Sequence, residues 1–197
     1  MARQPQFGVG KRRLAKGLGN YKTWLFYRRS FQGLVKRLGR PEFWQPYMAL
    51  TPDLAIANQR PLGNWQIVPQ GSGDLGDRMS LHLHATPGPV VFIGTDLPEI
   101  SVADIRMAFD ELENSDAVFG PAEDGGYWLV GLKKTPKIID PFHPVRWSST
   151  HTLDDTIDNL GVGARVTLLD EREDIDDLRA YDHWRKRRKA NVMRPYR

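Results

Sequence analysis

The sequence predicts a three-layer α/β/α sandwich built on a mostly parallel, mixed sheet, and three observations lead there. Short apolar runs rich in β-branched residues alternate with segments of helical periodicity. The most apolar run, Val90 to Ile93, stops abruptly at a glycine-bearing loop, as buried strands of α/β sheets do. No internal repeat or low-complexity linker interrupts the alternation. At 197 residues, 40% hydrophobic and 26% charged, the chain suits one globular domain over 1–197.

The elements follow in order. Gly8 to Gly19 interleaves glycines with cations and reads as a loop opening a helix. Trp24, Leu25, Tyr27, Phe31, Leu34, Val35 and Leu38 recur at helical spacing, which predicts a helix over 20–38 with its aromatics in the core. Pro41 and Pro46 bracket a connector, and Tyr47 to Leu50 and Ile67-Val68 are short strands. A loop over 70–76 leads into a helix ending near Leu83. The strand Val90 to Ile93 delivers Gly94-Thr95-Asp96-Leu97-Pro98, and Ser101 caps a helix with Val102, Ile105, Met107, Phe109 and Leu112 on one broad face. Strands at 117–119 and 127–132 flank Asp124-Gly125, a hairpin signal. Beyond a stretch broken by Pro136, Pro141 and Pro144 come a helix at 153–160, a strand at 165–169 and a last helix from near Asp176, basic from about 183.

Composition narrows the function. The absence of cysteine excludes disulfides and thiolate catalysis and fits a reducing, cytoplasmic setting. No apolar run approaches a transmembrane span, and the N-terminus lacks the apolar stretch of a signal peptide. The formal charge of +4 conceals an asymmetry: every charge before Glu42 is positive. Glycines among those cations favour a phosphate-bearing small molecule over nucleic acid. The run Arg185 to Lys189 reads more readily as a solvated helix end than as a contact for nucleic acid or an anionic membrane.

Several constellations carry chemistry. Gly8-Val9-Gly10-Lys11-Arg12-Arg13 fails as a Walker A loop, because its glycine spacing is wrong and Arg12 stands at the Ser/Thr position. It keeps the content of a phosphate loop: glycines that let backbone approach, helix-start amides, and cations at Lys11 and Arg13. Gln70-Gly71-Ser72-Gly73-Asp74-Leu75-Gly76-Asp77-Arg78 sets a glycine turn, an acid and a base before a helix. Such a loop can hold a nucleotide through Gln70, Gly73, Asp74, Gly76 and Arg78, or Asp74 can be only the helix cap. Asp96 sits at the carboxyl end of a strand, where open α/β sheets collect ligands; one such carboxylate, with substrate oxygens, suffices for Mg²⁺. As a plain turn acid it would need no ligand. The histidines show no metal-binding spacing, and no Ser-His-Asp arrangement or cysteine nucleophile is evident.

The segments IGTDLP, FGPAEDGGYWLVGL, QGSGDLGDRM and GVGKRRLAKGLG resemble the DUF2064 family, glycosyltransferase-like proteins related to the phospholactate and molybdenum-cofactor guanylyltransferases. The resemblance implies a GT-A-type, Rossmann-like domain that handles a nucleotide or nucleotide-sugar with Mg²⁺ or Mn²⁺ and an acceptor of unknown identity. It matches the family's phosphate loop at Gly8, Lys11, Arg13, Leu14 and Ala15, with Arg12 replacing a threonine. It implies catalytic roles for Asp96, Asp124, Lys11 and Arg13, and metal ligation by Asp96 with Asp174 and Asp176. Asp176 also reads as a helix cap. Gly125, Gly126 and Tyr127 would line the acceptor side, and Trp147-Ser148-Ser149 would hold a sugar or phosphate. In the family an apolar strand precedes the phosphate loop. Only five residues stand there in this chain, so a truncated first strand and a natural frame beginning upstream of Met1 are expected. Glycosyl transfer leads, ahead of nucleotidyl transfer and of a non-catalytic nucleotide-sugar binding module.

Overall fold

The computed structural model describes residues 1–40, 42–53, 56, 61–134 and 140–192; Pro41 and Pro136 of the expected connectors lie outside them. Seven strands and six helices are defined among the described residues: β1 (Ala2–Arg3), α1 (Arg12–Leu18), α2 (Asn20–Leu38), β2 (Tyr47–Thr51), β3 (Gln66–Pro69), α3 (Leu75–Ala85), β4 (Val90–Ile93), α4 (Val102–Glu111), β5 (Ala117–Pro121), β6 (Tyr127–Leu132), α5 (Thr152–Asp158), β7 (Val166–Leu168) and α6 (Leu178–Val192).

The strands form two hydrogen-bonded sets, β1-β2-β3 and β4-β6-β5-β7. The first is parallel throughout, with Ala2 opposite Leu50 and Tyr47 opposite Gln66. In the second, β6 runs antiparallel to both β4 and β5, while β7 is parallel to β5. The Asp124-Gly125 hairpin causes that reversal: a connection this short can only return the chain antiparallel. The expected first strand is thus present as two residues. The Met1 amino group donates to the Ile93 carbonyl at 2.8 Å, so the two sets meet where β1 faces the end of β4.

Strand alternation sorts the core into layers. Val118 and Leu129 face Leu34 and Leu38 of α2 and Ile105, Ala108 and Leu112 of α4. Phe92, Phe119, Val130 and Leu132 face the opposite way, onto Met79 and Leu83 of α3 and, partly buried, Leu153 and Ile157 of α5. Helices on both faces complete the α/β/α sandwich. A separate cluster of Leu14, Phe26, Ile175 and Trp184 ties α1, α2 and α6 together.

Local chemistry fixes the ends. Ser101 and Asp104 form a capping box on α4, and Asp74 and Asp77 form another on α3. The expected cap of the last helix moves by one residue, since Asp177 Oδ1 accepts the Ala180 N–H at 2.9 Å and α6 begins at Leu178. Asp176 is thereby left for another partner.

Candidate active site

A cavity of about 620 Å³ opens at the carboxyl ends of β1, β2 and β4 and the amino end of the antiparallel β6, lined by Lys11, Arg13, Thr95, Asp96, Asp174 and Asp176 among others. Asp96 is carried there by the loop after β4, which two side chains of α2 hold in place. Tyr27 donates to the Arg3 carbonyl at 2.8 Å and lies 3.2 Å from Thr95 Oγ1. Arg37 donates to the carbonyls of Ile100 and Pro98. The sequence marked Tyr27 as packing only, and Arg37 not at all, because each acts on a loop more than 60 residues away.

Lys11 is the hub. Its backbone is left-handed, φ 46° and ψ 43°, which turns the chain from the glycine loop into α1. Its ammonium lies 2.8 Å from Asp96 Oδ1 and 2.7 Å from Asp176 Oδ1, and donates to the Ile175 carbonyl at 2.9 Å. Arg13 reaches Asp176 Oδ2 at 2.8 Å. Burial opposes the Lys11 charge, but Asp96 and Asp176 outweigh it and its pKa is raised. Burial also opposes ionisation of Asp176, yet Lys11 and Arg13 prevail and hold its pKa down. For Asp174 the balance is reversed: burial, then the fields of Asp96, Asp124 and Asp176, outweigh the opposing field of Lys11 and push it up to about 7.

The segment carrying Asp174 and Asp176 is fastened from below. Arg172 forms a two-pronged pair with Asp104, at 2.6 and 3.1 Å, and lies over the Trp128 ring at 4.2 Å. Its backbone exchanges hydrogen bonds with Pro121 and Glu123. Asp124 Oδ1 accepts from the Gly126 N–H at 3.0 Å, which closes the hairpin. Gly125 has φ 85°, and a Cβ there would fall 2.4 Å from Thr150 Cα, so this hairpin docks directly on the 147–150 segment.

Other expected residues have structural partners. Gln70 is buried; its amide donates to the Ala2 and Ala49 carbonyls, and its carbonyl accepts from Arg78. That makes Gln70 a strut between β1, β2 and α3, while both Gln70 and Arg78 still line the cavity. Asp74 caps α3, Gly73 sits against Asp77, and Gly76 leaves room for Phe142 and Trp147. Gly8 and Gly10 supply positive φ angles in the loop before Lys11. Ser149 Oγ donates to the Arg146 carbonyl, and Ser148 adopts φ 57°. Trp147 packs against the core around Phe142. Tyr127 lines the cavity, where burial raises its pKa.

Residues 34–149 match the family described as "Uncharacterized protein conserved in bacteria (DUF2064)". The chain belongs to the DUF2064 family. The matched span contains the Asp96, Asp124 and Gln70 segments, while Lys11, Arg13, Asp174 and Asp176 lie outside it. Among solved structures, a "putative nucleotide-diphospho-sugar transferase" from Desulfovibrio desulfuricans G20 superposes with a TM-score of 0.76 at 27% identity, over 89% of this chain and 79% of that one. The Rv0371c protein of Mycobacterium tuberculosis H37Rv shares the fold at a TM-score of 0.50 and 15% identity, over 93% of each chain. No curated protein matches. The DUF2064 chain therefore carries the nucleotide-diphospho-sugar transferase fold.

The DUF2064 site offers hard oxygen donors, the type that Mg²⁺ and Mn²⁺ take. Asp96 and Asp176 already converge on one cation, the Lys11 ammonium. Among the described residues, the group whose ligand atoms all lie within 4.8 Å of one another is instead Asp74, Asp77 and His143, all exposed. Both of its acids are engaged in the α3 capping box.

Proposed function

We propose that this cavity is the active site of a metal-dependent transferase acting on a nucleotide-activated substrate, with glycosyl transfer from a nucleotide-sugar as the leading reaction. The observation that carries this reading is the convergence of Asp96 and Asp176 on a single cationic centre, with Asp174 crowded beside them. Asp96 and Asp176 would hold Mg²⁺ or Mn²⁺, with Asp174 as a further ligand. When bound, the ion would neutralise the donor's phosphate oxygens.

The chain's own residues account for the rest. Lys11 and Arg13, at the start of α1, face the departing nucleoside diphosphate and stabilise its charge by preorganised electrostatics. Gly8 and Gly10 let the backbone approach the phosphates. Gln70 and Arg78 border the nucleotide end of the cavity. Asp124 takes the proton of the acceptor hydroxyl as its oxygen bonds to the sugar and the bond from sugar to diphosphate breaks.

A second reading, nucleotidyl transfer, is favoured by one feature: beside Lys11 and Arg13, which pair with Asp96 and Asp176, Arg3, Arg12 and Arg78 also line the cavity and can meet the further phosphate of a triphosphate. There a phosphorylated acceptor attacks the α-phosphate of a nucleoside triphosphate and pyrophosphate leaves. A thermal-shift screen of nucleotides and nucleotide-sugars with and without Mn²⁺ tests the shared premise, since a ligand of the native state raises its melting temperature. Pyrophosphate release during turnover then separates the two. No metal-dependent shift with any nucleotide defeats both and leaves a chain without this donor class.

A further inference from the structure

The acids of the proposed site come from three segments that share no strand or helix: Asp96 from the loop after β4, Asp124 from the β5–β6 hairpin, and Asp174 with Asp176 from the stretch between β7 and α6. Like charges brought together repel, so their spacing has to be fixed from outside the cavity. Arg172 reaches all three segments. It stands two residues before Asp174. Its N–H donates to the Pro121 carbonyl at 3.0 Å, and its carbonyl accepts from the Glu123 N–H, next to Asp124, at 3.2 Å. Asp104 carries the link to the Asp96 loop. Its carboxylate accepts both prongs of Arg172, at 2.6 and 3.1 Å, together with the N–H and the hydroxyl of Ser101, at 2.7 and 2.9 Å. Ser101 is the last residue of that loop before α4 begins at Val102.

The pair is built for direction more than for energy. The Arg172 and Asp104 side chains are 26% and 15% exposed, and at such burial the cost of stripping water from both ions offsets much of their attraction. What a two-pronged contact adds is a fixed orientation. The Trp128 ring, 4.2 Å from the guanidinium carbon, gives the fork a flat seat, and Trp128 Nε1 donates to the Asp170 carbonyl of the same stretch at 3.1 Å. The neighbouring Glu173 faces α6 instead, with His183 at 3.4 Å and Arg187 at 3.3 Å. The stretch is thus pinned against α4 and α6 immediately before Asp174.

We propose that Arg172, acting through Asp104 and through its own backbone, is a positioning residue that sets the spacing of Asp96 against Asp174 and Asp176 and thereby the affinity of the site for a divalent cation. Arg172 is not part of the cavity lining among the described residues, so it acts on the acids and not on substrate. The inference rests on the reading of those acids as metal ligands and adds to it the residue that controls how well they bind. Groups that orient ligating carboxylates from behind govern metal affinity nearly as strongly as the ligands do.

The test is calorimetric titration of the nucleotide-free chain with Mn²⁺, at a temperature well below the unfolding of every variant. Arg172→Gln and, from the other side of the pair, Asp104→Asn should each weaken Mn²⁺ binding about tenfold or more. Arg172→Lys keeps the charge but loses the two-pronged contact, so it should recover only part of that loss. Ser115→Ala is the control for stability alone. The Ser115 hydroxyl lies 2.8 Å from Thr167 Oγ1, and neither residue lines the cavity. Its loss should destabilise the chain while leaving Mn²⁺ affinity within about twofold of the parent. Because Arg172 and Asp104 sit on different elements, a variant of one that fails to fold leaves the other to decide. Unchanged affinity in Arg172→Gln and Asp104→Asn, or an equal loss in Ser115→Ala, would overturn the positioning role while leaving metal binding in place. No Mn²⁺ binding by the parent chain would overturn the metal-dependent reading, and this inference with it.

Discussion

The Lys11 ammonium lies 2.8 Å from Asp96 Oδ1 and bridges it to Asp176, so one buried cation holds two segments of the chain 80 residues apart. The Lys11 side chain is only 8% exposed, whereas Asp96 is 51% exposed. The pair therefore lies between a buried ion pair and a surface one in worth.

Lys11→Gln removes the cation that both acids now share. Its metal-free form should lose about 1–2 kcal/mol of stability, a value discounted for the exposure of Asp96. The same variant should bind Mn²⁺ several-fold more tightly, because no ammonium competes for the carboxylates, and bind a nucleoside diphosphate more weakly. Calorimetric titration reads both. Unchanged Mn²⁺ affinity would show that the ion and the ammonium do not share a position.

The Arg172–Asp104 pair gives a pH prediction. Burial opposes ionisation of Asp104, but hydrogen bonds from Arg172 and Ser101 outweigh it and its pKa is lowered. A depressed carboxylate contributes stability above its unfolded pKa and loses it as pH falls through the folded value. Asp104→Asn should therefore be less stable than the parent chain by about 1–2 kcal/mol at pH 7, with the difference shrinking from about pH 4 downward. Denaturant unfolding across that range decides; a constant gap would mean that packing, not charge, is at stake.

How far the sequence foretold this arrangement depended on range. The helix over 20–38 and the strand over 90–93 were readable because periodicity and the Gly94 stop are local signals. Asp124-Gly125 announced the hairpin, and its antiparallel consequence followed. Asp176 read more readily as a helix cap than as a ligand, and only three-dimensional proximity to Lys11 and Arg13 draws it away from the helix end, leaving Asp177 to cap. Gln70 read as a nucleotide contact, and an amide in a glycine loop gives no hint that backbone carbonyls of β1 and β2 will also bind it.

Gly125→Ala tests the docking of the hairpin. The position requires φ 85° and offers a Cβ no room beside Thr150, whose Cα and carbonyl atoms lie at 2.4 to 2.7 Å. Strain and backbone displacement together should cost about 2–4 kcal/mol. A melting temperature within experimental error of the parent would show that the 147–150 segment moves aside freely.

Asp124→Asn isolates charge from geometry. The amide oxygen can still accept the Gly126 N–H, so the turn that Asp124 closes should persist and stability should change by no more than about 0.5 kcal/mol. The lost negative charge removes the proposed proton acceptor, which should lower turnover by about 10²–10⁴-fold. Donor affinity should stay within about twofold, because the proposed nucleotide contacts are Lys11 and Arg13 at the start of α1 and not the hairpin. Steady-state kinetics beside calorimetric donor binding separates these effects. Equal turnover by variant and parent would remove Asp124 from the chemistry, and a parallel loss of donor affinity would move it from the acceptor side to the nucleotide.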